Sequence, residues 1–125
     1  MKRILTSLAL CLAVVTAAFA LEITGGCRLG PKVVERPPLL EFPDLYPGGA
    51  DTLSMWLVNI GDEPAQDDIY VEGECPQLRI IEGEGAYFLF PGDSIRVAVE
   101  LSFAADGSDC VQDLQCRIHT GAETE

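Results

Sequence analysis

The chain has 125 residues and carries 20 acidic side chains against eight basic ones, a net charge of −12. This imbalance excludes a nucleic-acid partner, because binding to phosphates needs cationic side chains that displace counterions. It disfavours an anionic membrane surface for the same reason. The length predicts one domain of ordinary size, large enough to bury a core.

Residues 1–20 have the three parts of a secretory signal peptide. Lys2 and Arg3 form a positive start, an almost continuous apolar stretch follows, and the small-x-small sequence AFA ends at Ala20. A single N-terminal membrane helix is the alternative, but such a helix usually needs about 20 apolar residues and no cleavage signal. We therefore expect a secreted or periplasmic protein without a transmembrane segment, with six basic residues left against 20 acidic ones.

The next segment, residues 21–37, is rich in glycine and proline, which predicts an extended lead-in. It has room for a short edge strand at Val33-Val34. Residues 38–120 then contain turn sequences about every ten residues, among them Pro47-Gly48-Gly49 and Pro91-Gly92-Asp93.

Apolar and polar side chains alternate between these turns, as expected for half-buried strands. The clearest run places one set of apolar side chains on a single face: Ile95, Val97, Val99, Leu101 and Phe103. No segment after the signal peptide has a sustained helical period. The sequence therefore predicts an all-β sandwich, followed by a frayed polar tail at residues 121–125.

Three short motifs follow one another within the predicted sandwich. They are LEFPDLYPG at residues 40–48, LVNIGD at residues 57–62, and LFPGDS at residues 89–94 with alternating apolar residues after it. In this order they resemble the abnormal-spindle/hydin (ASH) type of immunoglobulin-like domain. That group includes the bacterial choice-of-anchor D repeats and is related to the major sperm protein fold. The resemblance implies an immunoglobulin-like β-sandwich of about seven antiparallel strands, a binding or structural role, and no catalytic residues.

Four of the five cysteines lie outside the predicted signal peptide, and an even number in a small exported domain predicts two disulfides. Spacing alone leaves all three pairings open. The resemblance implies Cys75–Cys116, with Cys27–Cys110 as the second bridge. The alternative is a local Cys110–Cys116 bridge with Cys27–Cys75. Because Cys27 follows small residues, its lipidation at a bacterial lipobox is a further alternative to a free exported protein.

Asn59 ends the second motif, where its side-chain amide is expected to bind neighbouring backbone groups and to tolerate a positive φ. We interpret it as a determinant of the fold rather than as part of a site.

The sequence offers no arrangement of residues suited to catalysis. His119 is the only histidine, and its position near the end of the last predicted strand favours an exposed surface residue. There is no Gly-x-Ser-x-Gly, no His-Glu-x-x-His and no phosphate-binding glycine loop. We therefore expect a protein that is not an enzyme and has no cofactor.

Two groups of acidic residues lie in predicted turns, and calcium prefers such hard oxygen ligands. Neither group has the Asp-x-Asp-x-Asp-Gly spacing of a calcium loop, so we interpret both as solvated turns. A calcium- or carbohydrate-dependent adhesion domain is the alternative function. The groups are Asp62, Glu63, Asp67 and Asp68, and then Asp106, Asp109 and Asp113.

Large apolar residues on the outward phase of the predicted strands are the best indication of a partner. Trp56 and Val58 lie on one such strand, and Phe88 and Phe90 on another. An exposed aromatic patch of this kind is typical of an interaction surface. The alternative is that another segment covers them. The leading hypothesis is a non-enzymatic interaction or structural module whose partner is an extracytoplasmic protein.

Overall fold

The structure, a computed structural model, describes residues 20–125. The predicted signal peptide therefore lies outside the described residues, apart from Ala20. Residues 20–125 form seven strands and no helix: β1 (Val33–Arg36), β2 (Ala50–Asn59), β3 (Ala65–Glu72), β4 (Leu78–Glu82), β5 (Gly85–Leu89), β6 (Ser94–Ser102) and β7 (Arg117–His119). This confirms the predicted all-β fold.

The strands form two antiparallel sheets, which matches the predicted sandwich. The four-stranded sheet has the order β1-β2-β6-β4, and the three-stranded sheet has the order β5-β3-β7. From β2 onward the chain changes sheet after every strand. Neighbours within a sheet are therefore distant in sequence, except for β1 and β2.

The core lies between the two sheets and is built from alternate residues of each strand. Leu57, Val97 and Val99 of the four-stranded sheet are almost fully buried, and Ile69 of the three-stranded sheet faces them. Their neighbours Trp56 and Arg96 are exposed, whereas Ala98, between Val97 and Val99, is itself buried. The period-two pattern thus predicted correctly that Val97 and Val99 enter the core, whereas Leu101 and Phe103 of the same predicted face are half-buried and lie outside it.

A glycine is required where the chain passes from β4 to β5. Gly83 has a φ of +92°, and a Cβ there would lie 2.7 Å from the carbonyl oxygen of Arg96. No larger residue fits both the backbone conformation and this close approach.

The first motif does not form the opening strand that the resemblance implies. Its prolines, Pro43 and Pro47, have no N–H to give to a strand ladder, and the segment instead packs Leu40 and Phe42 against the core. The first strand of the structure is β1, which confirms the edge strand expected at Val33-Val34. The sandwich therefore begins inside the segment that we interpreted as a lead-in.

The polar tail is docked, and the prediction that it frays is wrong. The Glu123 N–H donates to the Val33 carbonyl at 2.8 Å. Arg36 forms an ion pair with Glu125 at 2.6 Å. Thr120, just before the tail, is buried. These contacts fasten the tail along the outer edge of β1.

One disulfide joins the two sheets. Cys75 lies just before β4 and Cys116 just before β7, and they are bonded with their Cα atoms 6.1 Å apart. This confirms the first pairing implied by the resemblance and excludes the Cys110–Cys116 alternative. Cys27 and Cys110 are exposed free thiols, so the second expected bridge is not formed. Cys27 belongs to the extended lead-in, while Cys110 is held in its own turn by a hydrogen bond from its N–H to the Gly107 carbonyl.

Asn59 binds the backbone as predicted, and it does so while fully buried. Its amide nitrogen donates to the carbonyls of Glu63 (2.8 Å) and Leu89 (3.0 Å). Its side-chain oxygen accepts the N–H groups of Gly61 (2.9 Å) and Lys32 (3.3 Å). Asn59 is the last residue of strand β2. It does not have a positive φ, so the tolerance of that conformation expected for this residue is not used.

Candidate functional site

The four residues predicted as a partner surface do not form one patch. Trp56 and Val58 lie on β2, in the four-stranded sheet. Phe88 lies on β5, in the three-stranded sheet, and Phe90 follows that strand directly. Because the outward phases of the two sheets face away from each other, the structure divides the candidates into two separate surfaces.

The first surface is the aromatic pair, Phe88 and Phe90. Their rings meet edge to face, with centroids 5.0 Å apart and planes at 82°. The two residues remain 53% and 56% exposed. Between them, Leu89 is buried, so the backbone alternation holds both rings outward. The two rings therefore form a small exposed apolar patch at the edge of the three-stranded sheet.

The second surface is centred on Trp56, which is 46% exposed. In the strand register, Arg36 of β1 and Arg96 of β6 are its direct neighbours on either side. Each arginine is ion-paired, Arg36 with Glu125 and Arg96 with Glu82. The two arginines that border Trp56 are therefore already ion-paired. Val58, two residues further along β2, is half-buried.

His119 lies on β7 and is less isolated than the sequence indicated. Its ring stacks on Tyr70 of β3, with centroids 4.8 Å apart and planes at 20°. Nε2 lies 3.0 Å from Oδ1 of Asp67, and Nδ1 lies 3.7 Å from Oε2 of Glu72. The hydrogen bond with His119, followed by one from the Asp68 N–H, holds the pKa of Asp67 below its usual value. These contacts fasten the short strand β7 to β3.

A buried tyrosine is a feature that the sequence analysis missed. The Tyr87 hydroxyl donates to the Thr120 carbonyl at 2.6 Å, and the Thr120 hydroxyl donates to Glu35 at 2.7 Å. Burial, together with the nearby Asp67 and Glu35 carboxylates, raises the pKa of Tyr87 to about 12. The inward phase of Tyr87 was the available signal, but nothing local indicated its partner 33 residues away.

The first acidic group is divided: Asp67 and Asp68 lie on strand β3 rather than in a turn, and only Asp62 and Glu63 fasten the lead-in to the β2–β3 turn. The Asp62 carboxylate accepts the N–H groups of Leu29 (3.0 Å) and Gly30 (2.8 Å). These hydrogen bonds, that from Leu29 first, lower the pKa of Asp62. Glu63 forms an ion pair with Arg28 at 3.0 Å. The turn thus uses its carboxylates within the fold.

The second acidic group closes turns in the segment between β6 and β7. Asp106 accepts the Ser108 N–H at 2.9 Å, and Asp109 accepts the Ala104 N–H at 2.8 Å. Asp113 has a φ of +53°. Across residues 20–125, no three or more His, Cys, Asp or Glu side chains are grouped so that they could hold a metal ion.

Comparison of the chain with protein-family models, with curated proteins and with solved structures finds no match in any of the three. The resemblance to ASH domains therefore stays a prediction. In the part of the chain that the structure describes, no helix has the length and apolar character needed to cross a membrane.

Proposed function

We propose that the protein is a non-enzymatic recognition module that binds another protein outside the cytoplasm. The observation that carries this proposal is the exposed pair of Phe88 and Phe90. The signal-peptide pattern of the sequence supports the location. The Cys75–Cys116 disulfide also supports it, because such bonds persist mainly in oxidising compartments.

Two adjacent phenylalanines exposed in this way are a means of binding. Burying one fully exposed Phe side chain contributes about 1.5–3 kcal/mol. Phe88 and Phe90 are each about half exposed, so covering both offers roughly 2 kcal/mol before any other contact. Aromatic side chains are enriched among the residues that dominate binding energies at protein interfaces.

Trp56 gives an internal contrast. It is similarly exposed, but its cross-strand neighbours are arginines that are already ion-paired. An approaching partner would have to replace those contacts. We therefore assign recognition to the Phe88–Phe90 pair rather than to Trp56.

Photo-crosslinking in the native host tests the proposed function. A photoreactive phenylalanine analogue is placed at Phe88, and at Thr52, which is exposed on β2, as a control. We expect one discrete protein adduct from position 88 and none from position 52. No adduct from position 88, or the same adducts from both positions, would overturn the proposal.

The proposed location has its own test, an intact mass of the protein recovered from its host. We expect the chain to begin at Leu21 and to be two hydrogens lighter than the reduced form, because one disulfide is present. A chain that retains Met1 would contradict export. A chain beginning at an acylated Cys27 would instead place the module on a membrane as a lipoprotein.

A further inference from the structure

Three of the four sheet edges carry a feature that hinders pairing with another strand, as natural sheets commonly do. The docked tail lies along β1, with Glu123 hydrogen-bonded to Val33. The ladder of β4 is interrupted by a bulge between Ile80 and Glu82. The third protected edge, β7, is only three residues long and includes Arg117.

The fourth edge, β5, has none of these features. Its five residues, Gly85–Leu89, include no proline and no charged side chain. Its register with β3 is continuous, from Ala65 opposite Leu89 to Ile69 opposite Gly85. Within residues 20–125, β3 is its one neighbour in the sheet. The Leu89 carbonyl is bound by the Asn59 amide, and Gly85 has a φ of +106°. The uncharged edge therefore offers the remaining outer N–H and C=O groups, those of residues 86–88, to another chain.

The aromatic pair lies at this same edge. Phe88 projects from β5 itself, and Phe90 follows the strand by one residue. When an extended segment adds to a sheet edge, backbone hydrogen bonds supply affinity and contacts of alternate side chains supply specificity. Phe88 and Phe90 are placed to make those side-chain contacts on the outer face.

The charges around β5 are negative. Residues 83–95 include Glu84 and Asp93 and no lysine or arginine, and Glu82 just before them is ion-paired with Arg96. On the neighbouring strand, the exposed Asp68 lies opposite Ala86. Charge complementarity of this kind steers association with a cationic partner and disfavours an anionic one.

We infer that β5 is the docking site for an extended, lysine- or arginine-bearing segment of a partner protein, which adds to the three-stranded sheet as a further strand. The inference rests on the proposed function and specifies the partner's chemistry and its mode of binding. A second copy of this chain is a poorer occupant, because it would bring the same acidic residues to the edge.

The experiment uses a synthetic eight-residue peptide of alternating lysine and valine with blocked ends, titrated into the isotope-labelled exported protein at low salt. We expect saturable shifts of the backbone amide signals of β5, with the affinity falling as salt is added. Two control peptides separate the contribution of backbone hydrogen bonding from that of charge. One has the same side chains but a methyl group on every internal peptide nitrogen, and the other has glutamate in place of lysine.

Strand addition predicts that each control peptide binds at least about tenfold more weakly, because one cannot pair its backbone and the other has the wrong charge. On the protein, Phe88→Ala is expected to weaken binding of the lysine–valine peptide about fivefold, and Trp56→Ala less than twofold, on the scale of an interface contact. The folded state of both variants is checked from their amide spectra.

Three results would overturn the inference: no saturable binding of the lysine–valine peptide, equal binding of the methylated peptide, or self-association through β5 in sedimentation. If the methylated peptide binds equally while Phe88 still crosslinks a host protein, the aromatic face binds without strand addition. The proposed function then stands and this inference fails. If the crosslink is absent as well, both fail.

Discussion

The outer faces of the two sheets hold their aromatic residues in different ways. On the four-stranded sheet, Trp56 lies between Arg36 and Arg96, and each arginine is bound to a glutamate. On the three-stranded sheet, Phe88 and Phe90 contact each other next to the open edge of β5. The exposed fractions are similar, but the surroundings are not.

The proposed function rests on this contrast, because the exposed fraction alone does not distinguish the two aromatic sites. A side chain in the middle of a sheet meets neighbours from both adjacent strands, which cover its flanks and engage the polar groups around it. A side chain at an unprotected edge has one adjacent strand, and the backbone beside it still has hydrogen-bonding capacity. Position relative to the edge therefore separates Trp56 from the phenylalanine pair.

The largest expected effect comes from uncoupling the two faces. Cys75 and Cys116 join the beginning of β4 in one sheet to that of β7 in the other, across 41 residues of sequence. Replacing both by serine releases a loop whose closure entropy corresponds to about 4 kcal/mol of unfolding free energy. Urea unfolding measures the loss.

The matched control for that variant replaces Cys27 and Cys110 by serine. Both are exposed free thiols, so the unfolding free energy should change by no more than about 0.5 kcal/mol. A loss as large as that of the Cys75–Cys116 variant would mean that Cys27 and Cys110 are bonded in the exported protein.

The next effect comes from Asn59, which ends β2 and donates to the Leu89 carbonyl of β5. Asn59→Ala leaves four backbone groups without their partner in a buried site. We expect a loss of about 3 kcal/mol, in the range for broken buried hydrogen-bond networks. Thr52→Ala, an exposed change on the same strand, serves as the control. A similar loss in both variants would contradict the role assigned to Asn59.

A smaller effect tests the contrast between the two faces directly. Trp56→Ala removes a half-buried side chain packed among strand neighbours, and we expect it to reduce the unfolding free energy by about 1–2 kcal/mol. Phe88→Ala removes a more exposed ring at the edge, with an expected loss below about 1 kcal/mol. Thermal or urea unfolding of the two variants shows which substitution reduces the unfolding free energy more. The reverse order would show that the phenylalanine pair stabilises the fold rather than a complex.

The smallest effect concerns the hydrogen bond between Asp67 of β3 and His119 of β7, within the three-stranded sheet. The hydrogen bond with His119 lowers the pKa of Asp67 in the folded protein. A lowered folded pKa contributes stability above about pH 4, and that contribution is lost as the pH falls through the folded value. Asp67→Asn should therefore reduce stability slightly at pH 7 and leave it unchanged near pH 2.

Because the pair is partly exposed, this pH-dependent difference is small. Asp44→Asn, in an exposed segment, provides the comparison for the loss of one charge. An equal loss for Asp67→Asn at both pH values would exclude the pairing with His119 as its cause.

Alternation within single strands was the most predictable part of the fold. It identified the inward faces of β2, β5 and β6, and it identified Trp56 and Phe88 as outward. It could not assign them to different sheets, because sheet membership depends on which distant strands pair. The Asn59 amide was predictable because its motif places it at a strand end next to a turn.

The contacts that sequence reasoning missed join residues far apart in the chain. Arg36 and Glu125 are 89 residues apart, and Glu35 and Thr120 are 85 apart. A short polar tail has no local pattern that distinguishes a docked segment from a frayed one. The segment at residues 40–48 was wrongly expected to form a strand, because its motif resembles one. Its prolines prevent the hydrogen-bond ladder that a strand needs.

Tyr87 gives the folded protein an optical signature in alkali. With its pKa raised to about 12, its phenol stays protonated in the folded state at pH values where an ordinary tyrosine, with a pKa of about 10, ionises. A folded pKa above the unfolded one contributes stability below about pH 10, and this is lost as the pH rises towards 12. In the folded protein, tyrosinate absorbance from this ring would therefore appear at a higher pH than that of an ordinary tyrosine, so an alkaline spectrophotometric titration reports the loss of the packing around Tyr87.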